Sequence, residues 1–141
     1  MNADLAFSYR YVYVPPIGRI FYPLITIGLE TVDKGLVDFE FIVDTGADLT
    51  TIPFFMAKRL GLDLSKSRKS QSQGIGGIMV DTWITRLPLY IQKMRFVVRV
   101  SVTADNKTPF LLGRVDMLDF VFSWNFDSRR KEIIFTRLKS T

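Results

Sequence analysis

Hydrophobic and polar positions alternate with a period of two along much of the chain, the pattern of strands with one buried face. The clearest case is "LVDFEFIVD". Val37, Phe39, Phe41 and Val43 fall on one face, and Asp38 and Glu40 on the other. "LAFSYRYVYV" (5–14) predicts a strand that Pro15-Pro16 ends. "RIFYPLITIGL" (19–29) predicts a second, with Pro23 marking an edge position or a bulge. "TVDKGL" reads as a turn. "DTWITRLPLYI" (81–91) and "MRFVVRVSV" (94–102) predict a hairpin joined near Gln92-Lys93. After the turn "TADNKT", "PFLLG" reads as a buried strand ending at Gly113. "FVFSWNF" and "EIIFTRL" predict a last hairpin around "DSRRK".

Two segments break the alternation. "FFMAKRLGL" (54–62) predicts a short helix, with Pro53 near its start and Gly61 near its end. "RVDMLD" predicts one helical turn or two. "SKSRKSQSQ" (65–73) reads as a polar loop, after which "GIGGIMV" opens a new strand region. No internal repeat, linker or second domain is visible. Residues 1–141 therefore predict one all-β, barrel-like domain with one or two short helices.

Composition narrows the chemistry. Hydrophobic residues make up 48% of the 141, including twelve Phe, five Tyr and two Trp, enough for an aromatic-rich core. The chain has no Cys and no His. Disulfides, Cys–His nucleophiles, Ser–His–Asp triads and His- or Cys-ligated zinc are excluded. Catalysis here must use Asp, Glu, Lys, Ser, Thr or Tyr. No apolar run reaches the roughly 18 residues of a membrane span, so no membrane partner is expected. The first residues lack a cationic stretch followed by an apolar one, and a cytoplasmic protein is the expectation. The net charge is +5, with basic clusters in "SKSRKS" (65–70) and "RRK" (129–131). Such clusters form either an anion-binding surface or solvated loops. No RNA-binding signature or zinc-finger spacing accompanies them, and nucleic acid is not expected as a partner.

Charge of the other sign is more informative. In "FIVDTGADLT" (41–50), an apolar strand runs into Asp44. An ionised carboxylate at the mouth of a core is costly unless something stabilises it. Asp44 is either a turn acid, since Asp-Thr-Gly suits a tight turn, or is placed for chemistry. Metal ligation by Asp44 and Asp48 falls short, because hard cations want more oxygens than this loop supplies. "GIGG" (74–77) follows about thirty residues later. It is not a nucleotide loop: Met79 occupies the third glycine's place, and a polar loop precedes it. "FLLGR" (110–114) comes next, before a short apolar segment and "FVFSWNF".

This order and spacing resembles the retropepsin-like aspartic proteases, over roughly residues 20–138. The resemblance implies an acid-protease barrel that forms a homodimer, acts on peptide or protein substrates and uses no metal or cofactor. It implies that Asp44 is the catalytic carboxylate and that Thr45 makes a hydrogen-bond grip between subunits. Gly46 would let the backbone approach the substrate, and Ala47 and Asp48 would contact the bound peptide. Gly74, Ile75, Gly76, Gly77 and Ile78 would form a flap over bound peptide. Leu111, Leu112 and Gly113 would pack beneath the active-site loop, and Arg114 would pair with Asp48.

Hydrolysing a peptide without metal or nucleophile needs an acid and a base together. Two close carboxylates sharing one proton supply both. The chain has one Asp-Thr-Gly; its other Asp-Thr, Asp81-Thr82, is followed by Trp83. A twofold homodimer would bring two copies of Asp44 together. The expected activity is an aspartic endopeptidase acting on extended, apolar peptide segments. The alternative is a non-proteolytic dimerisation or peptide-binding module that retains the fold.

Overall fold

The alternating segments become strands, and main-chain pairing assembles them into three sheets. The computed structural model describes residues 4–74, 76–119 and 121–138. The strands are β1 (Asp4–Ser8), β2 (Arg10–Val14), β3 (Gly18–Tyr22), β4 (Leu24–Thr31), β5 (Gly35–Val43) and β6 (Thr50–Pro53). They continue as β7 (Arg68–Gln73), β8 (Met79–Ile91), β9 (Met94–Thr103), β10 (Leu111–Leu112), β11 (Phe122–Asp127) and β12 (Glu132–Arg137). A single turn of α-helix, α1 (Met56–Arg59), follows β6.

The main sheet has seven strands in the order β4-β5-β10-β6-β9-β8-β7, and β4 also pairs with β8, curling the sheet toward closure. Two of its pairings are parallel, β5 with β10 and β6 with β9. A three-stranded sheet has the order β1-β12-β11, and β2 and β3 form a separate hairpin. The core lies between the curled sheet and the three-stranded one. Ile25, Ile27 and Leu29 of β4 enter it with Val98, Val100 and Val102 of β9, alongside Phe122 and Phe135. Leu5 of β1 is also buried there, so the N-terminal strand shares the core.

Several local expectations differ from the structure for physical reasons. Residues 5–14 form two strands that part at Tyr9. There the Tyr9 N–H donates to the Lys131 carbonyl at 2.8 Å, and the Tyr9 ring stacks on Phe21. β1 and β2 then join different sheets. The segment 19–29 divides at Pro23, whose carbonyl accepts the Val43 N–H at 2.8 Å. The helix expected over 54–62 is only one turn long, and Gly61 ends the segment at φ +67°. The polar loop expected over 65–73 is instead a short 3₁₀ turn followed by β7. Every residue of β7 is exposed, so no apolar alternation marks it; its pairing with β8 holds it.

The segment 114–118 is no regular helix. Val115 is extended at ψ 131° and Asp116 is left-handed at φ 68°, so the chain makes one wide kinked turn. Asp tolerates that conformation better than most residues. Arg99 locks it: its Nε and Nη2 donate to the two Asp116 carboxylate oxygens, both at 2.9 Å, and its N–H donates at 3.0 Å. The Arg99 side-chain hydrogen bonds hold the Asp116 pKa down to about 2, against the opposing effect of burial.

A carboxyl depressed in the folded state adds stability above its unfolded value, and that stability is lost as pH falls toward 2. Asp116→Asn keeps a residue suited to positive φ but removes the charge. It is expected to cost about 1–2 kcal/mol at pH 7. Urea unfolding measured at pH 7 and at pH 2 checks this: the gap between variant and parent should narrow markedly at the lower pH. A gap unchanged at pH 2 would mean the ion pair adds nothing.

Candidate active site

The Asp-Thr-Gly segment is positioned from below by β10. Parallel pairing of Ile42 with Leu111 and Val43 with Leu112 carries the strand to its end, and the Asp44 N–H donates to the Leu112 carbonyl at 3.0 Å. Asp44 then leaves the sheet. Its carboxylate Oδ1 accepts the Gly46 N–H at 2.9 Å, and the Ala47 N–H donates to the Asp44 carbonyl at 3.2 Å, closing a tight turn. A Cβ on Gly46 would stand 3.3 Å from Asp44 Oδ1, so glycine leaves the carboxylate room. Asp44 is half-buried, and none of the ion pairs among the described residues involves it.

The following residues rest on "LLGRV". The Gly113 N–H donates to Thr50 Oγ1 at 3.1 Å in a buried contact. The N–H groups of Arg114 and Val115 donate to the carbonyls of Ala47 at 3.1 Å and Asp48 at 2.9 Å. The Arg114 guanidinium reaches back along the same loop. Nη1 donates to the Thr45 carbonyl at 3.0 Å, and Nη2 to Asp48 Oδ1. The Asp48 side chain is 81% exposed, so this ion pair adds little free energy of its own. Its effect is geometric, since a planar guanidinium joins both ends of the loop.

Across from this loop, β7 and the start of β8 form a projecting hairpin. At its turn the Gly74 N–H donates to the Ile78 carbonyl and the Gly77 N–H to the Gly74 carbonyl, both at 3.1 Å. Gly76 and Gly77 have φ of +93° and +81°, which side chains with a Cβ rarely adopt. Ile78 is 70% exposed at the tip. Ile75 lies outside the described residues. Further down, the Gln71 amide and then the Lys69 charge hold the Asp81 carboxyl below its ordinary range, tying the two strands together.

Between hairpin and loop lies an open cleft of about 560 Å³. Ala47, Asp48, Gly74 and Leu111 line it, so three separated segments of the sequence meet there. Asp44 is outside its walls, three residues from Ala47, and Gly76, Gly77 and Ile78 stand beyond them at the tip. Thr51, Thr82, Ser101 and Thr103 also line the cleft, which sequence reading did not anticipate. The signal for two of them was the Val-Ser-Val-Thr alternation in 100–103, whose hydroxyl face is legible only once β9 is in register. Among the described residues, no group of three or more Asp or Glu gathers to hold a metal ion. No helix among them is long and apolar enough to cross a membrane.

Comparison with known proteins gives a consistent picture. A family model described as aspartyl protease matches residues 31–115, more than half of the chain. No curated protein is matched. Among solved structures, a retropepsin-like aspartic protease from Rickettsia conorii superposes with a TM-score of 0.60 at 19% identity, covering 94% of this chain and 98% of that one. The EIAV protease, solved in complex with the inhibitor HBY-793, gives a TM-score of 0.49 at 24% identity, covering 69% and 85%. The all-β fold is thus retropepsin-like, with residues 31–115 spanning both the Asp-Thr-Gly loop and Arg114.

Proposed function

The chain belongs to the aspartyl protease family, and from that premise we propose that two copies form a homodimeric endopeptidase in which each contributes Asp44. The observation that carries this reading is the setting of Asp44. It ends an apolar strand, is braced by main-chain hydrogen bonds, has no cationic partner among the described residues and lies three residues from the wall of a cleft that the glycine-tipped hairpin bounds on its other side. In the dimer one carboxylate is ionised and takes a proton from water. The other is protonated, polarises the scissile carbonyl and later protonates the leaving nitrogen. Thr45 makes the grip between the two loops. Gly74, Gly76, Gly77 and Ile78 close over an extended peptide, with Ile75 assigned there from sequence. Apolar side chains of that peptide meet Leu49 and Leu111, on the loop side of the cleft.

A free sheet edge supports the dimer. β11 lies at the edge of the three-stranded sheet, with its outer side unpaired among the described residues. Trp124 pairs in register with Phe135, which is fully buried, yet Trp124 itself is 39% exposed. An edge strand with an incompletely covered aromatic suits antiparallel pairing with its own copy about a twofold axis.

Because each active site needs two chains, specific activity on an unfolded protein should fall on dilution, following mass action. Activity assays over a concentration series, with sedimentation at the same concentrations, test this. Full activity per chain in a monomeric sample would overturn the shared site. Peptide binding without hydrolysis at dimeric concentrations would establish the binding-module alternative.

A further inference from the structure

We propose that the part of the cleft walled by β8 and β9 is a specificity pocket for one neutral, hydrogen-bonding side chain of the bound peptide (Ser, Thr, Asn or Gln), recognised by the hydroxyls of Thr82 and Ser101. This rests on the peptide-hydrolase reading above and narrows its substrate class.

Strand register creates the pocket's polarity. In β9, Val98, Val100 and Val102 face the core, so Ser101 and Thr103 face the opposite side, toward the cleft. Antiparallel pairing sets Thr82 against Thr103 and Ile84 against Ser101, while parallel pairing places Thr51 beside Ser101. Residues directly opposite one another share a face. One cleft-facing patch therefore carries these four hydroxyls from three strands, and Ser70 of β7, opposite Thr82, adds a fifth at its exposed side.

These hydroxyls are not equivalent. Thr51 Oγ1 donates to the Leu49 carbonyl at 3.0 Å, and Thr103 Oγ1 to the Asp105 carbonyl at 3.1 Å. Thr82 and Ser101 are only 2% and 6% exposed, and no hydrogen bond among the described residues engages either side chain. No buried side-chain oxygen there is sealed off without a partner, so both hydroxyls open onto the cleft they line. Each can donate one hydrogen bond and accept others. An aliphatic side chain in the pocket would displace water and leave both unpaired, which is unfavourable. A hydroxyl or carboxamide would satisfy them, and its methyl or methylene groups would rest on Val80 and Ile84. An ionised side chain would lose its water without finding a free counter-charge, since Asp48 at the rim is held by Arg114.

The experiment profiles cleavage of a peptide library by the parent and by Thr82→Val, Thr82→Ser and Ser101→Ala, at concentrations where the dimer is established. Binding of the same peptides to Asp44→Asn is measured alongside. The parent should prefer Ser, Thr, Asn or Gln over Val or Leu at one position near the scissile bond. Thr82→Val, which keeps the volume, and Ser101→Ala should each shift that preference toward aliphatic residues by about tenfold. Thr82→Ser should retain the polar preference, separating hydrogen bonding from packing. An aliphatic preference in the parent, or a profile the Val and Ala variants leave unmoved, overturns the pocket while leaving the protease reading intact. A library neither cleaved nor bound overturns both.

Discussion

Asp44→Asn should lower kcat/KM on a cleavable peptide by about 10³-fold or more while leaving a folded protein. The substitution is nearly isosteric. Its side-chain oxygen can still accept the Gly46 N–H that now reaches Asp44 Oδ1 at 2.9 Å, and the main-chain bond from Asp44 to Leu112 is untouched. The loop therefore has no reason to move. What disappears is the proton chemistry: an amide neither takes a proton from water nor gives one to a leaving nitrogen. General acid–base assistance alone is worth about 10² to 10⁴ in rate, and in the proposed dimer one dyad would supply both halves. Dimerisation should persist, because the substitution is nearly isosteric and leaves the main-chain bonds of the loop in place. Circular dichroism and sedimentation should match the parent while turnover disappears. Retained turnover would move the chemistry to another residue.

Gly113→Ala should have the largest effect on stability of any glycine-to-alanine change in the chain, about 3–5 kcal/mol. Gly113 has φ −95°, an ordinary value for any residue, so conformational freedom is not the reason. The reason is proximity. A Cβ there would stand 2.4 Å from the Leu49 carbonyl carbon, 2.6 Å from its oxygen and 2.7 Å from the Thr50 nitrogen. These are backbone atoms and cannot rotate aside. Relief requires β10 to separate from the Leu49–Thr50 main chain, which breaks the Gly113 bond to Thr50 Oγ1 and disturbs the Arg114 bonds to the same loop. Against a typical total of about 5–15 kcal/mol for a domain, such a loss leaves a marginal fold. The melting temperature should fall by at least about 10 °C. Activity should fall further than stability alone explains, since this contact positions the loop bearing Asp44. Gly74→Ala is the control for stability: its nearest neighbour is the Ile78 carbonyl oxygen at 4.0 Å, and its effect on melting should be small. A Gly113→Ala protein melting with the parent would show that the Leu49 backbone yields easily.

The sequence by itself determined which segments alternate, and hence the all-β class. It also determined the one Asp-Thr-Gly and the "LLGR" that supports it. These are short-range facts. Val37 to Val43 must expose Asp38 and Glu40 when extended, and an acid after an apolar strand needs a reason wherever the strand lies. It could not show that "RKSQSQ" is a strand, because β7 buries none of its residues and owes its existence to hydrogen bonds with β8. Nor could it show that 5–14 divides between two sheets, since the break at Tyr9 is imposed by Lys131 and Phe21, far along the chain. The wide turn at Asp116 likewise depends on Arg99, 17 residues away. Above all, the tertiary structure decided what faces the cleft. A strand's side chains alternate strictly, so a slip of one residue in β9 would bury Ser101 and Thr103 in the core and turn Val100 and Val102 toward the cleft. Pairing with β6 and β8, together with burial of Val98, Val100 and Val102 in the core, excludes that slip and so sets the polarity of the cleft.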